Sequence, residues 1–148
     1  SIFRDWKFYI IIPKSETPKS KTELLRKALG EPVAFEKYVD EKYAFNSMLK
    51  GLLYDDQNVF GRGMNTESYH QEVRARTGLY SEFIKLKKLL IDSGALGVCI
   101  SGAGPSILVL PGTMSLNYIN KLVKENEVYA DIVETKVSEG IKIKKKEL

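Results

Sequence analysis

GVCISGAGPSILVL, residues 97 to 110, sets two apolar runs on either side of a Ser-Gly-Ala-Gly-Pro-Ser turn. The runs, about Leu96 to Ser101 and Ser106 to Leu110, are short, apolar and bounded by turn residues, which predicts two buried strands joined by a tight loop. A plain hairpin needs far less in its bend. Two readings of the bend stand. Either Gly102 and Gly104 supply positive φ for the turn alone, or they let main chain run close against another surface. In the second case their N–H groups, with Ser101 and Ser106, form a concave set of donors suited to an anion. No Gly-Lys-Ser/Thr follows, which excludes a Walker A loop, and a strand follows where a Rossmann fingerprint needs a helix.

Outward from the bend, the pattern is regular. Leu79, Phe83, Leu86 and Leu90 recur at i, i+4, i+7 and i+11, and Ser93-Gly94 provides a stop, predicting a helix over about Tyr80 to Asp92. Past Pro111-Gly112, Leu116, Ile119, Leu122 and Val123 mark another helix. Asp131 to Val137 alternates like a strand, and Ile141 and Ile143 are candidates for an added edge. Near the start, Trp6 to Ile12 (WKFYIII) is aromatic and β-branched and stops at Pro13, the pattern of a buried strand. Ser20-Lys21-Thr22-Glu23 has the form of a capping box ahead of Leu24, Leu25 and Ala28, and Gly30 and Pro32 close that short helix. Phe45, Met48, Leu49, Leu52 and Leu53 form an apolar stripe at helical spacing, predicting a packed helix over about Glu41 to Tyr54. Gly61 and Gly63 interrupt the segment Asp55 to Thr77, in which Asn65-Thr66 is the candidate start of a short helix carrying Tyr69, His70, Val73 and Arg74.

Without its extra helices the order is βαββαβ. That is the plan of an α+β, ferredoxin-like α/β plait: a mainly antiparallel sheet with helices covering one face. No internal repeat divides the chain, and no linker does, so residues 1–148 are read as one domain.

Composition agrees with one domain that buries its own core: 148 residues, 43% hydrophobic and 28% charged. The longest apolar runs, Phe8 to Ile12 and Ser106 to Leu110, fall far short of the roughly 20 residues of a membrane span. Ser1 to Asp5 lacks the basic start and apolar centre of a signal peptide, and a soluble, cytoplasmic protein with no membrane partner is expected. The single cysteine, Cys99, sits in an apolar run, against a disulfide framework or a Cys-rich metal site. Its expected role is that of a small buried residue. The net charge of +4 lies partly in Lys142, Lys144, Lys145 and Lys146. No basic stripe interleaved with aromatics stands out, so nucleic acid is not an expected partner, whereas an anionic small molecule suits the balance.

GALGVCISGAGPSILVL, Gly94 to Leu110, resembles the third motif of the GHMP kinases, in the form nearest to the homoserine kinases of that family. Mevalonate-type members usually read glycine-rich where this chain has Pro105-Ser106. Thr22-Glu23-Leu24-Leu25-Arg26 resembles the family's Thr-x-x-x-Arg segment, after a longer loop from Pro13. His70-Gln71-Glu72-Val73-Arg74 resembles its His-x-x-x-Arg segment, with Val73 where an aromatic is common. The resemblance implies a C-terminal, substrate-side domain. The family's enzymes transfer the γ-phosphate of ATP, with Mg²⁺, to a small alcohol, here L-homoserine, in threonine biosynthesis. It implies that Arg26 and Arg74, with Thr22 and His70, lie on the substrate side, the arginines holding a carboxylate, for which a guanidinium offers a planar fork of donors. Ser101, Gly102, Ala103, Gly104 and Ser106 would form the nucleotide-side loop.

The phosphate-binding loop and the Mg²⁺ ligands would sit in an N-terminal GHMP domain absent from this chain. No catalytic or metal-ligating residue is therefore assigned here, and the fragment alone is expected to be inactive. The complete enzyme is expected to be a homodimer. Such a missing half also predicts exposed apolar surface near residues 101 to 105.

Plainer readings stand beside these. Arg26 suits a solvated last helical turn, Arg74 is flanked by charge in Arg74-Ala75-Arg76, His70 suits a structural role, and a helix surface explains Asn46 and Glu67. Another alcohol acceptor, shikimate or mevalonate, and a stand-alone amino-acid-binding regulatory module are the alternative functions.

Overall fold

The computed structural model describes residues 5–14, 21–30, 32–66, 69–102 and 104–138, with the side chains at 72, 75 and 76 excepted. Its elements are β1 (Lys7–Pro13), α1 (Lys21–Leu29), α2 (Phe35–Tyr54), α3 (Gln57–Asn65), α4 (Tyr69–Arg76), α5 (Ser81–Asp92), β2 (Gly97–Ile100), β3 (Ile107–Leu110), α6 (Leu116–Glu125) and β4 (Ala130–Lys136). The strands form one sheet in the order β2-β3-β1-β4. Every neighbouring pair is antiparallel, with Tyr9 opposite Val109 and Glu134, and Val98 opposite Val109. This is the plait expected from the sequence.

Alternation along the strands divides the core in two. Tyr9 and Ile11 of β1 join Val98, Ile100, Ile107 and Val109 beneath Phe83, Leu86 and Leu90 of α5 and Ile119, Leu122 and Val123 of α6. Ser115 starts α6 by accepting the Tyr118 N–H at 3.2 Å, the N-cap that lets this amphipathic segment begin where it does. Trp6, Phe8 and Leu110 point to the opposite face and meet Met64, Phe60, Met48 and Leu52 of α2 and α3. The expected one-sided helical layer thus describes α5 and α6, while α2 and α3 cover the other face. The physical reason is that β1 is apolar on both sides, and Trp6 and Phe8 need cover of their own.

Gly61 and Gly63 do not interrupt the chain; both lie inside α3. A Cβ on Gly61 would stand 2.2 Å from the Leu96 carbonyl oxygen, and one on Gly63 would stand 2.6 Å from the Ala44 carbonyl oxygen. The glycines are there because α3 is wedged between α2 and the outer strand β2, too near both for a side chain. The expected short helix carrying Tyr69, His70, Val73 and Arg74 is α4, but Asn65-Thr66 does not start it: Asn65 is the last residue of α3 and Thr66 its C-cap. Asn65 completes the seal on β2: its Nδ2 donates to the Leu96 C=O at 2.9 Å and its Oδ1 accepts the Val98 N–H at 2.8 Å. The amide mimics a neighbouring strand and occupies polar groups that an open edge would offer to another chain. Asn65→Leu is expected to lower stability by about 2–4 kcal/mol, since it leaves a backbone donor and an acceptor unpaired. Chemical denaturation measures this, and an unchanged midpoint would show the edge to be sealed by other means.

α2 begins at Phe35, not near Glu41, because its N-cap is Ala34, which makes no side-chain hydrogen bond and leaves no signature in the sequence. Its expected apolar stripe divides: Met48 and Leu52 pack on the second core, whereas Phe45 and Leu53 are 62% and 63% exposed and the fully buried residues of the helix are Ala44 and Gly51. Phe60 lies so close to Gly51 that small residues form the contact face. The other end of α2 is tied to the sheet by the Trp6 indole, whose Nε1 donates to Asp55 Oδ1 at 2.7 Å. Exposed large apolar side chains therefore gather along α2, including Phe35, Val39 and Tyr43. The expected capping serine, Ser20, and the candidate edge residues Ile141 and Ile143 lie outside the described residues.

Candidate functional site

The β2–β3 bend closes on itself first. The Ser101 N–H donates to the Ser106 C=O at 2.8 Å, and the Gly104 N–H donates to the Ser101 C=O at 2.9 Å. Two of the donors expected to face an anion therefore serve the loop. Gly102, at φ +56°, stands at the exposed tip with open space around it. Gly104, at φ +66°, lies against the Tyr80 ring: a Cβ there would sit 2.4 Å from Tyr80 Cε1 and 3.0 Å from Ile100 Cγ2. Only glycine satisfies both the conformation and the contact. Ala103 lies outside the described residues, and Ser106 is half-buried at the foot of β3.

Positive charge reaches the loop from two helices. Lys21, the first residue of α1, donates from Nζ to the Gly104 C=O. Arg74 arrives from the last turns of α4, whose end is fixed by Thr77: its N–H and hydroxyl both donate to the Arg74 C=O, at 3.1 and 2.7 Å. α1 packs on α4, and the Tyr69 hydroxyl donates to the Leu29 C=O at 2.8 Å to hold that contact. Burial, and then the Arg74 charge, lower the Lys21 ammonium below the ordinary lysine value. Burial raises the Tyr80 phenol and Arg74 draws it part of the way back. Arg74 is half-buried, and neither it nor Lys21 has a carboxylate partner among the described residues. Two like charges held together without a counter-charge favour a bound anion, because a carboxylate or phosphate relieves the repulsion that depresses Lys21.

The other expected residues divide. Arg74 makes its charge felt at Lys21 and Tyr80, the two residues that touch the bend at Gly104. Thr22 and Arg26 are on α1 but exposed, whereas Leu25 of the same helix packs on the core. His70 lies one turn before Arg74, and its ring faces α2: Nδ1 is 2.9 Å from Glu41 Oε1, and its N–H donates to Glu41 Oε2 at 3.3 Å. It stacks edge-on against Tyr69, which stacks on Tyr38. Cys99 is a free thiol pushed up to about 11 by burial, with Lys87 and Arg74 opposing, which fits its expected role as a packing residue. Lys21 was read only as part of a capping box. Nothing in its spacing marks it, since its contact with Gly104 crosses 83 positions of chain.

A cavity of about 620 Å³ lies elsewhere, lined by Lys7, Glu134, Tyr9 and the start of α6. It is at the opposite end of β1 from the bend, and Lys7 and Glu134 form an ion pair at 3.6 Å across its wall. With those charges satisfied, the cavity is the weaker candidate. Among the described residues no group of three or more His, Cys, Asp and Glu could hold a metal ion, and no helix is long and apolar enough to cross a membrane.

Comparison with known proteins adds to this geometry. Residues 48–142 match the family model described as GHMP kinases C terminal. The chain is 28% identical over 144 residues to the homoserine kinase of Saccharolobus islandicus, covering 93% of this chain and 45% of that one. A crystal structure of homoserine kinase from Cytophaga hutchinsonii superposes with a TM-score of 0.71 at 27% identity, covering 92% of this chain and 43% of that one. Mevalonate kinase of L. major shares the fold more distantly, with a TM-score of 0.62 at 17% identity over 88% of this chain and 43% of its own. The chain spans less than half the length of the curated relatives it matches.

Proposed function

The chain belongs to the GHMP kinases through their C-terminal domain, and we propose that it forms the substrate-side wall of a homoserine kinase, in which ATP phosphorylates the side-chain hydroxyl of L-homoserine. The observation that carries this reading is the pair Lys21 and Arg74 beside the glycine bend, which has no carboxylate partner among the described residues. It suits an acceptor with a free carboxylate. Arg74 grips that carboxylate as a planar fork, and Arg26 and Thr22 on α1 border the same entrance. His70 holds α4 to α2 and so sets the height of Arg74.

In such a site the protein's task is positioning and charge stabilisation. Bound Mg-ATP would supply the transferable phosphoryl group. The bend, with its open Gly102 tip, suits the polyphosphate side, where a side chain would obstruct approach. The donor set described here is cationic and suits an anion, not a metal; Mg²⁺ is on this reading held by an N-terminal domain outside this chain. That domain, a second copy of the chain in a homodimer and a cytoplasmic setting complete the proposal.

The test is to join the chain to the N-terminal half of a homoserine kinase and assay ATP-dependent phosphorylation of L-homoserine, mevalonate and shikimate. Turnover should be highest with L-homoserine; mevalonate and shikimate also carry a carboxylate, so the Arg74 contact is common to all three and the choice among them rests on the similarity to homoserine kinases. Preference for mevalonate or shikimate would overturn the choice of acceptor. Tight amino-acid binding by the chain alone, with no turnover of any alcohol after joining, would favour a regulatory module.

A further inference from the structure

Lys21 lies just outside the Thr22 to Arg26 segment, yet it is the α1 residue whose side chain the fold brings to the bend. We propose that Lys21 is a positioning residue: it latches the glycine bend to α1 by donating to the Gly104 C=O, and so holds the bend in register with Arg74. The role rests on the kinase reading given above for its effect on turnover, but the latch itself is a property of this chain.

The geometry leaves the bend few other anchors. Its internal hydrogen bonds, Ser101 to Ser106 and Gly104 to Ser101, define its shape but tie it to nothing beyond β2 and β3. Tyr80 supports it from below through the close contact at Gly104. Tyr80 follows α4 and leads into α5, so one side of the bend rests on the segment after Arg74. Lys21 grips Gly104 from α1, which packs on α4. Gly104 is therefore held between two elements that also flank Arg74. An ammonium suits the task because it keeps donors in reserve: Nζ has three N–H groups, and the Gly104 carbonyl occupies one. The Arg74 charge is felt at Lys21, so an anion there would meet both cations. An anion bound between the two cations would thus tighten the latch.

The experiment compares Lys21→Met, which keeps length and removes the donor, with Lys21→Arg, which restores a donor. In the chain itself, amide ¹⁵N relaxation and hydrogen exchange at Gly102 and Gly104 should show a looser bend in Lys21→Met and a near-native one in Lys21→Arg. The melting temperature should stay within about 3 °C of the parent, because one part-buried hydrogen bond contributes only about 1 kcal/mol. In the joined enzyme, Lys21→Met should lower kcat for L-homoserine by about tenfold to a hundredfold, the scale of a small misplacement of reacting groups. KM should change less than kcat, and Lys21→Arg should recover most of the loss. An unchanged bend in Lys21→Met overturns the proposal, as does full turnover by that variant. If the parent enzyme phosphorylates no homoserine while the bend still loosens, the kinase reading falls and the latch stands.

Discussion

Arg74→Ala is expected to reduce kcat/KM for L-homoserine about a hundredfold in the joined enzyme, equivalent to roughly 3 kcal/mol of transition-state stabilisation. The magnitude follows from the setting. Arg74 is half-buried, its guanidinium has no carboxylate partner among the described residues, and its backbone is fixed by Thr77. A group held ready in this way loses little freedom when it binds, so its removal costs most of the interaction. Arg74→Lys should recover only part of the activity, since an ammonium cannot reproduce a paired contact with both carboxylate oxygens. Arg26→Ala should cost about tenfold or less, because Arg26 is exposed and its contact with substrate is screened by water. Steady-state kinetics with L-homoserine as the varied substrate settles the order. Equal losses for both arginines would mean that α1 moves inward on binding, and no loss at Arg74 would remove it from the site.

The second large effect is on stability. Gly61→Ala should lower the unfolding free energy by about 3 kcal/mol, the upper range for overpacking a tight core contact. For a domain of this size that is a fall of roughly 6–12 °C in Tm. The new methyl would meet the Leu96 carbonyl at 2.2 Å, a backbone atom just before β2 that cannot rotate away. α3 would have to withdraw from the sheet edge, and with it Asn65, which seals that edge, and Met64 of the second core. Gly78→Ala is the control. Gly78, unlike the helical Gly61, has positive φ, +68°, and nothing within 4 Å of its Cβ position, so the change should cost only the conformational penalty, about 1–2 kcal/mol. Calorimetry on the two variants separates packing from conformation, and similar losses would locate the α3 contact elsewhere.

These cases also mark what the sequence discloses. Helices α5 and α6 were legible because each buries one face, so the period of its apolar residues reports the contact directly, and the strands because their short apolar runs end at turn residues. α2 was legible as a helix but only partly in its orientation. Of its apolar stripe, Met48 and Leu52 pack on the second core while Phe45, Leu49 and Leu53 are exposed, and Ala44 and Gly51 form the most buried contact. A close helix contact is built from small residues, and hydrophobic periodicity does not weigh them. Gly61 and Gly63 misled for the same reason, reading as breaks where they permit approach. At the site, the glycine bend and Arg74 were visible as motifs, and their meeting was not, since it depends on the packing of α1 against α4. Lys21 left no local trace at all.

The central claim is that the glycine bend and Arg74 form one anion site on the substrate side of a kinase. A crystal structure of the joined enzyme with L-homoserine tests it most directly. The account predicts the substrate carboxylate within about 3 Å of the Arg74 guanidinium nitrogens, the range of a charge-assisted hydrogen bond, with the bend beside it. Homoserine bound away from Arg74, with the Ser101 to Ser106 bend turned to bulk solvent, would contradict it.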